Sequence, residues 1–405
     1  MASIRLQLSP QATQPSDCLT IITRLYNYSM RRYSFVILPL FILLLSCQPK
    51  PLPPLRTSLL VYRFEPPAFL EYSEDFQLTK EIPFSIPPNC GLYNTFPAPR
   101  GDFILIELNC PNGQTVLFLD VESASVSQPV SEADSHFLAW ASDGSSAYLK
   151  VDSLSNPHFI RAHVDGKQDD IPITEFTYDL SAKPDSFDFT FTFSRGLGFG
   201  SELNLAKNDG RITQLLYADL YNYISFARFS PDSKQIAFIK IPDSQTPFTV
   251  GELWIIPSMV SFANKTPSSM EQAKFLADVD AGHGYAANWS PDGAKIAFVA
   301  RENPDDEEAD HSSEALISNI YVVDVTSGKL TQVTSFDNAR AETPFWSPSG
   351  NILAFNVVLN GRMQVHIANI GDRVGSSENR DPYRDPGEIQ PLGTESTCCP
   401  AWMRK

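Results

Sequence analysis

Trp289-Ser290-Pro291-Asp292-Gly293-Ala294-Lys295-Ile296-Ala297-Phe298 is a phrase this chain repeats. Trp346-Ser347-Pro348-Ser349-Gly350 runs into Asn351-Ile352-Leu353-Ala354-Phe355. Phe229-Ser230-Pro231-Asp232-Ser233 runs into Lys234-Gln235-Ile236-Ala237-Phe238, and Trp140-Ala141-Ser142-Asp143-Gly144 into Ser145-Ser146-Ala147-Tyr148-Leu149. Recurrence every ~40 to 60 residues signals a repeat architecture. Ser-Pro-Asp-Gly is a turn with a mechanism. Ser bonds back to the backbone, Pro presets φ, Asp suits the third position and Gly the fourth. The large residue before the turn and the Ile-Ala-Phe run after it read as two arms of a β-hairpin, the second arm buried.

A second strand pair follows each phrase. After Phe298 and an acidic loop comes Asn319-Ile320-Tyr321-Val322-Val323-Asp324-Val325. Thr326-Ser327-Gly328-Lys329 then turns the chain into Leu330-Thr331-Gln332-Val333-Thr334. Four short strands per unit is the content of a propeller blade. Weaker copies fill the gaps. Ala98-Pro99-Arg100-Gly101 leads into Asp102-Phe103-Ile104-Leu105-Ile106, with Pro97 in the aromatic position. Lys183-Pro184-Asp185-Ser186 leads into Phe187-Asp188-Phe189-Thr190-Phe191, with Ala182 there. The aromatic position thus falls at 97, 140, 182, 229, 289, 346 and 402, which leaves Trp402 as a lone first strand. Residues 59–64, 69–72 and 76–79 read as the strands it lacks. The expected fold is all-β, a single β-propeller over residues 57–405. Seven blades are preferred and six is the alternative, if the weak copies are irregular. Both chain ends share one blade, which removes exposed sheet edges. Trp140, Phe229, Trp289, Trp346 and Trp402 are expected to pack between blades.

Trp-Ser-Pro-Asp-Gly-x-x-Ile-Ala-Phe, with a Leu-Thr strand before the next aromatic, resembles the TolB-type β-propeller repeat over residues 57 to 405. The resemblance implies a propeller that binds a protein or ligand in the bacterial envelope. TolB itself carries an α/β domain before its propeller. Residues 47–56 are too few for one, so the resemblance is to the repeat and not to that protein.

The segment from Met30 reads as an address. Arg31-Arg32 is a basic start, and an apolar run from Phe35 to Leu45 follows. That run is too short for a membrane span, which needs about 20 residues, and has the pattern of a secretory signal. Leu44-Leu45-Ser46-Cys47 resembles the bacterial lipobox, which implies cleavage before Cys47 and lipidation of that residue. An ordinary signal with a chance Cys is the plain alternative. Residues 1–29 read as an upstream extension, 30–46 as the signal peptide and 47–56 as a Pro-rich tether, stiff and extended. In lipoproteins of this kind Gln48 after the Cys implies the outer membrane, with the chain facing the periplasm or the cell surface. Loss of residues 1–46 removes four Arg and one Asp, taking the net charge from −16 to −19. Such an acidic chain is a poor nucleic-acid binder, because phosphate binding needs clustered Lys and Arg.

Cys90 and Cys110 are equidistant from the turn at Arg100, so an antiparallel hairpin sets them opposite one another. Opposite Cα atoms lie about 4.5 to 5.5 Å apart, within disulfide range, and a bridge over that loop is worth roughly 3 kcal/mol. Two buried thiols is the other reading. Cys398 and Cys399 are adjacent and read as two packed thiols, because neighbouring Cα atoms at about 3.8 Å fall below the usual disulfide range. No Cys or His spacing matches a metal site, and no cofactor is expected.

Catalytic motifs are absent from the sequence: no Gly-x-Ser-x-Gly elbow, zincin helix or phosphate loop. Gly196-Leu197-Gly198-Phe199-Gly200 reads as a hairpin tip. Residues 302–311 are acidic and read as a solvated loop rather than a Ca²⁺ loop. Residues 258–276 read as an insertion with room for a short helix. Asp278, Asp280, His283 and Glu342 precede aromatic positions and are the candidates for the channel mouth, although a hydrogen-bonded loop His is the plainer reading of His283. Two functions remain open. One is a lipid-anchored, non-enzymatic scaffold whose loops or channel mouth hold a protein, peptide or glycan. The other is a channel-type hydrolase or lyase using carboxylate and His groups. Three or more such groups within ligand distance at the mouth would favour the enzyme.

Overall fold

The structure is a computed structural model that describes residues 57–99, 102–130, 134–152, 157–194, 200–244, 246–258, 272–281, 287–370 and 389–404. Arg56–Lys405 form one compact unit. Among the described residues no helix is long and apolar enough to cross a membrane.

Seven four-stranded antiparallel blades account for the unit. Blade 1 joins the two ends of the chain: β28 (Thr397–Arg404), β1 (Thr57–Arg63), β2 (Ala68–Tyr72) and β3 (Leu78–Pro83), in that order across the sheet. Leu59 pairs with Trp402 and Ala401 with Leu60. The fourth strand of this blade lies further along the chain than residues 76–79, because Phe76 takes a left-handed φ of 57° in the turn before it. Blade 2 is β4 (Gly91–Pro97), β5 (Phe103–Cys110), β6 (Gly113–Asp120) and β7 (Val126–Ser127). Blade 3 is β8 (Ser135–Trp140), β9 (Ser146–Asp152), β10 (Pro157–His163) and β11 (Gln168–Ile171). Blade 4 is β12 (Thr177–Ala182), β13 (Phe189–Ser194), β14 (Ser201–Ala206) and β15 (Ile212–Asp219). Blade 5 is β16 (Asn222–Phe229), β17 (Gln235–Pro242), β18 (Val250–Pro257) and β19 (Lys274–Asp280). Blade 6 is β20 (Asn288–Trp289), β21 (Lys295–Arg301), β22 (Ser318–Asp324) and β23 (Leu330–Gln332). Blade 7 is β24 (Arg340–Trp346), β25 (Ile352–Leu359), β26 (Arg362–Asn369) and β27 (Ile389–Pro391). The weak copies, with Pro97 and Ala182 in the aromatic position, are complete blades.

The core explains why the second strands are continuous apolar runs. Successive side chains of a strand point to opposite sheet faces, and here each face is covered by a neighbouring blade. In β5, Ile104 and Ile106 pack toward blade 1 while Leu105 packs toward blade 3. In β21, Ile296 and Phe298 pack toward blade 5 while Ala297 and Val299 pack toward blade 7. Tyr148 meets Phe189 between blades 3 and 4, and Leu203 meets Phe229 and Phe238 between blades 4 and 5. The cycle closes where Leu59, Val61 and Trp402 of blade 1 pack on Ala354 and Val365 of blade 7.

The repeated turn does what its residues dictate. Ser290 N–H donates to Lys295 O at 2.8 Å, and Ser290 Oγ donates to Asp292 Oδ1 at 2.6 Å. That hydroxyl bond, ahead of the backbone N–H of Ala294, holds the Asp292 carboxyl below the usual range. Gly144, Gly293 and Gly350 close their turns at φ of 69°, 70° and 76°, and Ser233 is forced to 60° in the equivalent place. The aromatic before the turn ties one blade to the previous one. The indole N–H groups of Trp140, Trp289 and Trp346 donate to the carbonyls of Phe96, Arg228 and Asn288 at 2.9, 3.0 and 3.0 Å. Each acceptor directly precedes the aromatic position of the blade before. Blade 4 has no such aromatic. There Ser142 Oγ donates to Ser186 O at 2.9 Å, and Tyr178 OH donates to Ile224 O at 2.6 Å.

Candidate functional site

The first strands of the blades surround the axis. They bond to one another across blades: besides the indoles, Thr95 Oγ1 donates to Cys399 O at 3.2 Å and Asn288 Nδ2 to Pro344 O at 2.6 Å. The register skips within β4, β8, β12, β16, β24 and β28. Such bulges leave a backbone N–H without its ladder partner. In β8, β16 and β28 a side chain of the preceding blade meets it. Glu107 Oε1 accepts from Phe137 N at 3.1 Å, Asp179 Oδ2 from Ala227 N at 2.8 Å, and Asn356 Oδ1 from Cys399 N at 3.1 Å. Phe226, Thr343 and Cys399 carry left-handed φ values at these bulges, all three residues before the aromatic position.

The bulge in β28 also changes the cysteine reading. Cys398 and Cys399 are bonded to each other, with Cα atoms 3.7 Å apart. The left-handed turn at Cys399 (φ 62°) breaks the strand alternation that would send neighbouring side chains to opposite faces. Cys90 and Cys110 are bonded too, with Cα atoms 4.2 Å apart. They lie one step beyond the Gly91–Asn109 pair at the open end of the β4–β5 hairpin.

Acidic and aromatic groups gather where the first strands of blades 2 and 3 begin. Tyr93 on β4 is 60% exposed and close enough to the Glu107 carboxyl to feel its charge. Glu107 on β5 is 4% exposed. Burial pushes its carboxyl up to about 7, against the opposing effect of the Phe137 N–H. His136 on β8 lies opposite Lys150 on β9. Its Nε2 is 3.3 Å from Asp134 Oδ1 and 3.5 Å from Asp152 Oδ2, and Lys150 Nζ is 3.0 Å from the same Asp152 oxygen. Further round the axis Asp179 pairs with Arg228 at 3.1 Å.

Of the candidates read from the sequence, Asp278, Asp280 and Glu342 are described, and each has its own surroundings. Asp278 is exposed on β19, the outer strand of its blade. Asp280 is buried and pairs with Arg301 at 3.3 Å, and the same guanidinium reaches Asp310 at 2.6 Å. Glu342 is buried against Arg340, which also donates to Ser313 O. Each of these two buried carboxylates therefore has a local counter-charge. The loop after β21 is not merely solvated. Asp306 caps a short helix, α1 (Glu307–His311), from which Asp310 reaches Arg301. His283 and Cys47 lie outside the described residues, as do residues 195–199 and 259–271. Trp140, Phe229, Trp346 and Trp402 are buried, and Trp289 is half-buried between blades 5 and 6. Asp134, His136 and Asp152 escaped sequence reading because they sit in one of the looser copies and come together only through strand pairing.

No protein-family model matches the chain, and no curated protein matches it in sequence. Solved structures with which it aligns include TolB from Acinetobacter baumannii, at 16% identity over 83% of this chain and 79% of that one, with a TM-score of 0.44. An oligogalacturonate lyase from Vibrio parahaemolyticus aligns at 10% identity over 82% and 88%, TM-score 0.47. A puromycin hydrolase aligns at 13% identity over 69% and 45%, TM-score 0.48. The propeller assignment rests on the seven blades themselves, the sixth and seventh joined by one parallel bridge between Ser318 and Arg340.

Proposed function

We propose that the chain is a lipid-anchored propeller of the bacterial cell envelope. It acts as a non-enzymatic scaffold whose channel mouth holds a protein, peptide or glycan. The observation that carries this reading is the mouth at blades 2 and 3. An exposed tyrosine ring lies there beside a buried carboxyl, and blade 3 carries an imidazole opposite an ammonium group; such a mixture of π-face and hydrogen-bonding groups suits recognition. The buried carboxylates nearer blades 5 to 7 are held by arginines, which suits support more than chemistry. The net charge of −16 favours partners that are basic or neutral over nucleic acid. Cys47 is the lipidation site on this reading, and residues 47–56 are the tether. The membrane is then the second partner, and the outer membrane the location.

One experiment addresses both halves. A photo-crosslinking amino acid replaces Tyr93 in cells, in the parent chain and in Cys47→Ser. We expect a discrete adduct in the parent, membrane retention of the parent, and release of Cys47→Ser to the soluble fraction without lipid labelling. Crosslinking no different from a probe at the exposed Leu330, on an outer strand, overturns the mouth. Unchanged membrane retention of Cys47→Ser overturns the anchor.

A further inference from the structure

We propose that Asp134, His136 and Asp152 form a binding site for a zinc-sized divalent cation at the channel mouth. The site shares His136 and Lys150 with the mouth described above, but it rests on strand geometry and needs neither the anchor nor the partner. His136 and Lys150 are register partners across β8 and β9. Lys150 and Asp152, two residues apart on β9, share one face, and Asp134, with a left-handed φ of 68° just before β8, lies beside the end of β9. Asp152 N donates to Asp134 O at 2.9 Å, which tethers the two carboxylates through the backbone. Gln114 N donates to Asp134 Oδ1 at 3.1 Å and helps orient it from blade 2.

The ligand atoms, one from each residue, all lie within 4.8 Å of one another. His136 Nε2 is aimed between the carboxylates, at 3.3 and 3.5 Å. A tetrahedral ion with bonds of about 2.0 to 2.2 Å holds its ligand atoms roughly 3.3 to 3.5 Å apart. One imidazole and two carboxylates suit a borderline transition ion better than Mg²⁺, which prefers oxygen and keeps its waters. All three side chains are partly exposed, which leaves the fourth vertex open to solvent. Lys150 supplies one positive charge against two carboxylates, and a divalent ion would displace its ammonium from Asp152. The competing reading is an imidazolium bridging two carboxylates, which produces the same separations without any ion.

Calorimetric titration of the untagged full chain with ZnCl₂, MgCl₂ and CaCl₂ separates the two. We expect one Zn²⁺ per chain with a dissociation constant below about 100 μM and no comparable Mg²⁺ or Ca²⁺ binding. His136→Ala and Asp152→Asn should each weaken Zn²⁺ binding at least about tenfold. Lys150→Met, which removes the competing charge and leaves every ligand in place, should tighten it about fivefold. That gain keeps the test informative should a ligand variant fold poorly. Absence of saturable Zn²⁺ binding, binding unchanged in both ligand variants, or no tightening in Lys150→Met overturns the proposal.

Discussion

Glu107 carries a carboxyl that folding raises from an ordinary value of 4.5 to about 7, through burial. In that window the native chain binds a proton that the unfolded chain releases. Its contribution to stability is therefore fully present below about pH 4.5 and is lost as pH rises through about 7. Glu107→Gln keeps an acceptor for the Phe137 N–H and removes the titration. We expect the variant to match the parent near pH 4.5 and to exceed it by roughly 3 kcal/mol at pH 8, as read from urea midpoints at both values. A difference that does not grow with pH would contradict the assignment. Nothing in the sequence marks Glu107 out. It lies in the copy whose aromatic position holds Pro97, and its role depends on a bulge in another blade. The indole bonds were equally hidden. The tryptophans were legible as packing groups, but their acceptors are backbone carbonyls of the preceding blade.

The repeated hairpin was the legible element, because its turn residues and buried second strand are local consequences of residue type. Three of its turns place glycine in the left-handed region, while Ser233 takes a φ of 60°. A side chain there is strained by about 1 to 2 kcal/mol. Ser233→Gly should raise the stability of the whole chain by about 0.5 to 1 kcal/mol in chemical denaturation, after the extra entropy that glycine loses on folding. A loss of stability would mean that the β16–β17 turn is not under this strain. The first strands were less legible. Their bulges and the Cys398–Cys399 bond depend on how each strand meets its neighbour around the axis, which no local pattern encodes. The partners of the mouth candidates were hidden for the same reason. Asp280 and Glu342 precede aromatic positions as expected, but Arg301 and Arg340 claim them.

At the scale of the whole unit, seven faces of contact form an unbroken cycle, and blade 1 is the one assembled from both chain ends. A stop codon at position 400 removes Ala401, Trp402 and Met403, all buried. Loss of Trp402 alone should cost about 3 to 5 kcal/mol, and the exposed edge of β1 adds to it. We expect the truncated chain to lose cooperative unfolding or to unfold at much lower urea. A midpoint equal to the parent's would show that β28 does not seal the ring. Spacing of the phrase was enough to place seven units, since each copy has its own hairpin. Closure could be inferred because an orphan first strand at one end complements three strands at the other.

The pairing of β1 with β28 has a consequence for biosynthesis. Thr57 leaves the ribosome long before Arg404, and at roughly 5 to 20 residues per second the interval is tens of seconds. Throughout that time the strand waiting for its partner presents unsatisfied amide groups and apolar side chains. The nascent chain must be shielded by a chaperone, or kept extended until translation terminates, because the partner of β1 is β28, the final strand.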